Sequence, residues 1–170
     1  MLGKRLCKGI TLVELMTALA IAGILITASV PILSSLIQRY RISSTADQLY
    51  YNLQYARSEA IRSNTNVYVS FSTGDTWCYG IRSGSACNCT TANSCTLGVF
   101  SYGAAQQISL TTSGLTSNSI YFDGTRAAAN ASGSVTLTAY GQSSPLVRLS
   151  IGRLGGLIMC ATDINGYTAC

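Results

Sequence analysis

Hydrophobic positions fall into three regimes along this chain. From Ile10 to Val30 apolar residues run almost without a break. As a helix such a run spans about 31 Å, the depth of a bilayer core. Beyond it the apolar positions thin to steps of three and four. Ile42, Ala46, Leu49, Leu53, Ala56 and Ala60 form a stripe, and Arg41, Asp47, Arg57 and Arg62 fall off it. One helix is therefore expected from about Ile10 to Ser63, on the order of 80 Å long. Its first half is apolar all round, and its second half lays one face on a domain. Pro31 stands inside it, where a missing donor and a ring crowding the carbonyl of Thr27 predict a kink or local melt.

From Asn66 the period drops to two. NVYVSF at 66–71 alternates, STGDT reads as a turn, and WCYGI at 77–81 returns as the second strand of a hairpin. Further strands are expected at 99–102, 107–111, 119–122, 134–139, 146–151 and 157–161. DGTRAAANASG separates two of them, and GRLGG closes a tight hairpin between the last two. A long helix packed on an antiparallel sheet makes the fold class α+β.

Length and charge refine this picture. The chain has 170 residues, room for one modest domain and an extension. Its net charge of +5 is unevenly placed, because Lys4, Arg5 and Lys8 all precede the apolar run. Positive-inside orientation puts residues 1–9 in the cytoplasm and everything after Ile32 across the membrane. Without that leader no lysine remains, and eight arginines face six acids, a formal +2. Bulk electrostatics then give little pull toward nucleic acid. A conventional secretory signal fits poorly, since Ala20-Ile21-Ala22 and Thr27-Ala28-Ser29 only approximate a cleavage site and the helical pattern continues past both.

Of seven cysteines, Cys7 stands ahead of the apolar run. The others are Cys78, Cys87, Cys89, Cys95, Cys160 and Cys170. Six in a segment outside the cytoplasm favour up to three disulfides over a zinc site in CYGIRSGSACNCTTANSC, so no metal is expected. Closing Cys160 on Cys170 would pin a tail that otherwise frays. Cys87 and Cys89 are too close for an easy mutual bond, so each pairs with Cys78 or Cys95, in either order.

Gly9 followed by ITLVEL, with a basic leader before it and an apolar helix after it, resembles the class III signal of type IV pilins and type II secretion pseudopilins. The resemblance implies that a prepilin peptidase cuts between Gly9 and Ile10 and that the new amino terminus is methylated. Ile10 stands where the family more often has Phe or Met. Glu14 matches the family's characteristic glutamate and Pro31 its helix-breaking proline. A carboxylate in hydrocarbon costs several kcal/mol unless paired or protonated. The freed amine of Ile10 lies about 6 Å along the helix from Glu14. The resemblance implies a closer pairing, with a neighbouring subunit's amine, that sets filament register. ADQLYYNLQYARSEAIRSNTNVYVSF, then Trp77, IYFDG and a final strand followed by GR, is similar to the GspH/FimT/FimU group of minor pilins and pseudopilins. The implied organisation is a leader at 1–9, a membrane and filament-core helix at 10–31, an amphipathic helix at 32–63 and a periplasmic head at 64–170. The implied partners are other minor and major pilins, the prepilin peptidase and an inner-membrane assembly platform. The implied location is the bacterial inner membrane and a surface pilus.

Some FimT-like pilins bind DNA through a G-R-x-R motif near the carboxyl terminus. Here the stretch is Gly152-Arg153-Leu154-Gly155, with glycine at the second arginine's place. Arg148 and Arg126 are the other candidate phosphate contacts, and DNA capture is the alternative function. A type II secretion pseudopilin is the second alternative. Catalysis is not expected: the chain has no histidine, its carboxylates are scattered, and GRLGG lacks the ending of a P-loop. No cofactor is expected either.

Overall fold

A computed structural model describes residues 9–140, 143–144 and 146–170, with the side chains of 27–32 also left aside. The chain divides after Ile37 into two compact units. One helix, α1 (Leu12–Ser63), contributes to both.

In the first unit α1 begins two residues later than expected, because Thr11 caps it. The Thr11 hydroxyl accepts the Glu14 N–H (3.2 Å), and the Thr11 carbonyl accepts the Leu15 N–H (3.1 Å). Thr11-Leu12-Val13-Glu14 has the spacing of a capping box, with Glu14 at its third helical position. Every side chain described from Leu12 to Ile26 is exposed. Among the described residues no helix is long and apolar enough to cross a membrane. Leu12–Ile26 alone would span about 22 Å, short of the hydrocarbon thickness. The rest of the expected span falls largely in 27–32, outside the described side chains, but α1 is helical straight through Pro31, so the local melt expected there does not occur.

The second unit is a head with its own core. Its part of α1 buries Ile42, Ala46, Leu49, Leu53, Ala56 and Ala60 to 2% exposure or less. Three of these are alanines. The strands are β1 (Val67–Ser72), β2 (Trp77–Ser83), β3 (Gly98–Tyr102), β4 (Ile108–Ser113), β5 (Ser119–Phe122), β6 (Gly133–Ala139), β7 (Leu146–Ile151), β8 (Leu157–Thr162) and β9 (Thr168–Ala169). They form two sheets rather than one. The first has the order β3-β2-β1-β5, the second β4-β6-β7-β8-β9. All pairings are antiparallel except β8 with β9.

Alternation decides which residues enter the core. Val67, Val69 and Phe71 of β1 and Trp77, Tyr79 and Ile81 of β2 join Leu110, Leu137, Val147 and Leu149 of the second sheet in one cluster. The sheets are tied at Gly74, whose N–H and C=O both bond Leu110 (3.0 Å each). The Trp77 indole adds a bond to the Ile108 carbonyl (2.8 Å). Flanking the apolar stripe of α1, polar side chains meet tyrosine hydroxyls from the sheet side. Asn52 donates to Tyr79 (2.7 Å) and Gln48 accepts from Tyr102 (2.7 Å). The Tyr167 hydroxyl donates to Asp47 (2.8 Å) and lies 2.8 Å from the Ser43 hydroxyl. Burial raises the pKa of Tyr79, Tyr102 and Tyr167, so these hydroxyls stay protonated at neutral pH.

Candidate functional site: the capped terminus and the disulfide-bearing head

Gly9 and Ile10 lie just before the cap, outside any helix or strand, and Ile10 is 75% exposed. A Cβ placed on Gly9 would meet open space, and its backbone is not in the left-handed region. Nothing among the described residues therefore requires glycine there for folding. Glu14 is exposed one turn further on. Its third-position placement sets a carboxylate beside the positive end of the helix dipole. Thr17 adds a bond to the Glu14 carbonyl (3.0 Å). The terminus thus presents an accessible peptide bond, a capped first turn and an exposed carboxylate.

In the head all six remaining cysteines are bonded. Cys78 pairs with Cys89 and Cys87 with Cys95, two crossing links that settle the order the sequence left open. The zinc alternative ends here, because both links consume its thiolates. The loop between β2 and β3 folds back on the outer face of the first sheet. A Cβ on Gly80 would collide with Cys95 Sγ, so β2 needs a glycine where the loop crosses it. Cys160 bonds Cys170 and holds β9 along β8. The same loop carries Tyr167 to Asp47 and Ser43, so a covalent tether at the carboxyl terminus docks on α1.

The candidate arginines lie on different elements. Arg148 points outward from β7, opposite Thr136 of β6 and Cys160 of β8. Arg126 and Arg153 occupy two other turns, which are bound together. Ala129 N–H donates to the Arg153 carbonyl (3.0 Å), and Arg57 reaches the Ala127 carbonyl (3.2 Å). In the Arg126 turn one oxygen of Asp123 accepts from the Thr125 hydroxyl (2.5 Å), the Thr125 N–H (2.8 Å) and the Arg126 N–H (2.9 Å). Those bonds hold the Asp123 carboxyl below its ordinary pKa. Gly155 has φ +76°, and a Cβ there would strike the Ala127 carbonyl. An arginine in its place would have to open the contact between the two turns. The missing second arginine of a G-R-x-R motif thus has a steric cause.

Sequence reasoning missed the Thr11 cap, although T-x-x-E was visible as a signal. It also missed the tyrosine contacts to α1, which have no local signature.

A long helix whose first part is exposed and apolar, entering a separately cored β head, defines a pilin-like protein. The chain belongs to the family of type II transport protein GspH, matched over residues 45–155. The prokaryotic N-terminal methylation motif matches residues 4–30. No curated protein and no solved structure matches the chain.

Proposed function

We propose that this chain is a minor type IV pilin that takes part in priming or assembling a pilus and sits at or near its tip. The observation that carries this reading is the methylation motif over residues 4–30, with Gly9 free of any folding role, joined to a head of the GspH family. On this reading a prepilin peptidase frees the amine of Ile10. The helix from residue 10 onward anchors the chain in the inner membrane, and its partners are other pilins and the assembly platform. Glu14 pairs with a neighbouring subunit's amine and sets axial register, an ion pair that only makes sense once the bond after Gly9 is cut.

The test is Glu14→Ala in the full chain. Membrane insertion should be unchanged and recovery in sheared pili should drop at least about tenfold, the scale of losing a desolvated ion pair. Unchanged incorporation would overturn the role given to Glu14. Intact mass of membrane-extracted protein checks the processing step, which predicts a methylated chain starting at Ile10.

The family's printed description also supports a second reading, a minor pseudopilin of a type II secretion system. Deleting the chain would then abolish secretion and leave pili intact. DNA capture is less supported, because Gly155 has no room for the second arginine of the motif. A gel shift comparing the head with its Arg148→Ala/Arg153→Ala form would reveal it.

A further inference from the structure

At the end of β5, Tyr121, Asp123, Arg126 and Asn130 line one cavity of about 160 Å³. Tyr121 and Asp123 flank Phe122, which is buried in the core, so both turn to the outer face. Arg126 and Asn130 come from the turn that follows. The bonds that hold these side chains leave polar groups over. One oxygen of Asp123 takes all three bonds from Thr125 and Arg126, and its other oxygen takes none among the described residues. The same bonds lower the pKa of this carboxyl, so it is charged at neutral pH. The Asn130 side-chain oxygen accepts the Tyr121 N–H (2.9 Å), and the Asn130 N–H donates to the Tyr121 carbonyl (3.1 Å). The Asn130 Nδ2 is thereby left to donate elsewhere. The Arg126 guanidinium is exposed and makes no ion pair among the described residues. The Tyr121 ring is half-buried, its centroid 4.8 Å from that of Tyr68 on β1. Within the turn Ala127 has φ +52°, a conformation alanine seldom adopts, kept by a bond from its N–H to the Asp123 carbonyl (2.9 Å). Backbone held in this way is a common accompaniment of ligand sites.

We propose that this cavity binds one unit of a neutral saccharide. The polar groups left over are an acceptor, Asp123 Oδ2, and donors on Asn130 and Arg126. Sugar hydroxyls answer both kinds, because each donates and accepts. The carbon-bound face of a sugar ring has the Tyr121 ring to lie against. Other ligand classes fit less well. A phosphate or an acidic peptide would meet the Asp123 carboxylate, and a cation would meet Arg126. An aliphatic group would cover the polar groups without bonding them. The volume is well below the roughly 300 Å³ at which pockets for drug-sized ligands begin, so a single ring is the unit it takes. That ring would be one residue of a longer glycan. This inference goes beyond the assembly role proposed above and does not depend on it. It assigns Arg126 to a sugar hydroxyl rather than to a phosphate.

The test uses the full chain in a detergent without a sugar headgroup. Methyl glycosides of glucose, galactose, mannose and N-acetylglucosamine are titrated while NMR follows the amides of Thr125, Arg126 and Asn130. At least one glycoside should shift them saturably, with a dissociation constant on the order of 1–10 mM for so small a contact. Asp123→Asn keeps an acceptor for the turn and puts a donor in place of the free oxygen. Asn130→Asp keeps the acceptor for Tyr121 and removes the donor. Each should weaken binding at least about tenfold, the scale of losing a hydrogen bond at a charged group. Using both guards against misfolding of one variant. Thr111→Ala, exposed on the other sheet, should leave binding unchanged. Single-stranded oligothymidylate should leave the three amides in place. No shift by any glycoside up to about 50 mM, shifts indifferent to both substitutions, or shifts produced by the oligonucleotide overturn the inference.

Discussion

The two units of this chain answer different demands. From Leu12 to Ile26 every described side chain is exposed and most are apolar. In the head the apolar stripe of α1 is almost wholly sealed and three disulfides bind the loops. The same residue types, leucine and isoleucine at helical spacing, do opposite jobs. In the head they are spent on folding the chain itself. In the first unit the described side chains from Leu12 to Ile26 are all exposed, open to an environment such as lipid or neighbouring helices. Exposure of that extent in a lone chain marks an interaction surface.

The sharpest way to break the comparison is to remove one leucine from each unit. Leu53→Ala removes a side chain with no exposure, and a loss of about 2–5 kcal/mol in head stability is expected. Leu19→Ala removes one that is 64% exposed, and head stability should not change. Thermal melts of the two full-length variants in detergent give the answer. Equal losses would mean that the first unit also contributes to folding the head.

The next effect is smaller and lies at the head's carboxyl terminus. Tyr167→Phe keeps the ring and removes the hydroxyl that meets Asp47 and Ser43. A loss of about 1–3 kcal/mol is expected, because a half-buried carboxylate loses its donor. Asp47→Asn keeps an acceptor and should cost less. Urea unfolding of the head measures both, and a Tyr167→Phe cost no greater than that of Asp47→Asn would make the docking of this loop energetically idle.

How far these features were legible follows from how local their causes are. The stripe from Ile42 to Ala60 was readable because one helical period decides it. Strand positions were readable because alternation is a property of neighbouring residues. Strand partners were not. Ile108–Ser113 alternates like the strands around it, yet it leaves the first sheet and founds the second. Only the long-range bonds of Gly74 and Trp77 record where it goes. The same limit left Cys78 open between Cys87 and Cys89, since both are within covalent reach in sequence and β-strand geometry chooses. At the candidate site, Gly9 and Glu14 were legible from a compact motif. The obstruction at Gly155 was not, because its cause is a carbonyl 28 positions away in sequence, at Ala127.

The smallest effect expected is also the most local, and it probes whether the arginine-bearing turns belong to the rigid part of the head. Asp123 is half-buried and accepts three bonds from Thr125 and Arg126, led by the Thr125 hydroxyl. Its folded pKa is therefore lower than the ordinary 3.8. A carboxyl depressed on folding stabilises the fold fully above its unfolded pKa. That contribution fades as pH falls toward and through the folded value. The turn should hold at pH 5 and above and loosen only below about 3.8. Amide shifts of Thr125 and Arg126 followed by NMR should titrate below that value, and Asp123→Asn, which keeps an acceptor but cannot titrate, should flatten both curves. If instead the amides move at 3.8 or higher, the turn is not organised by this carboxylate. Arg126 would then be carried on a loose loop, and its bonded relation to the Arg153 turn would add nothing to the order of the head.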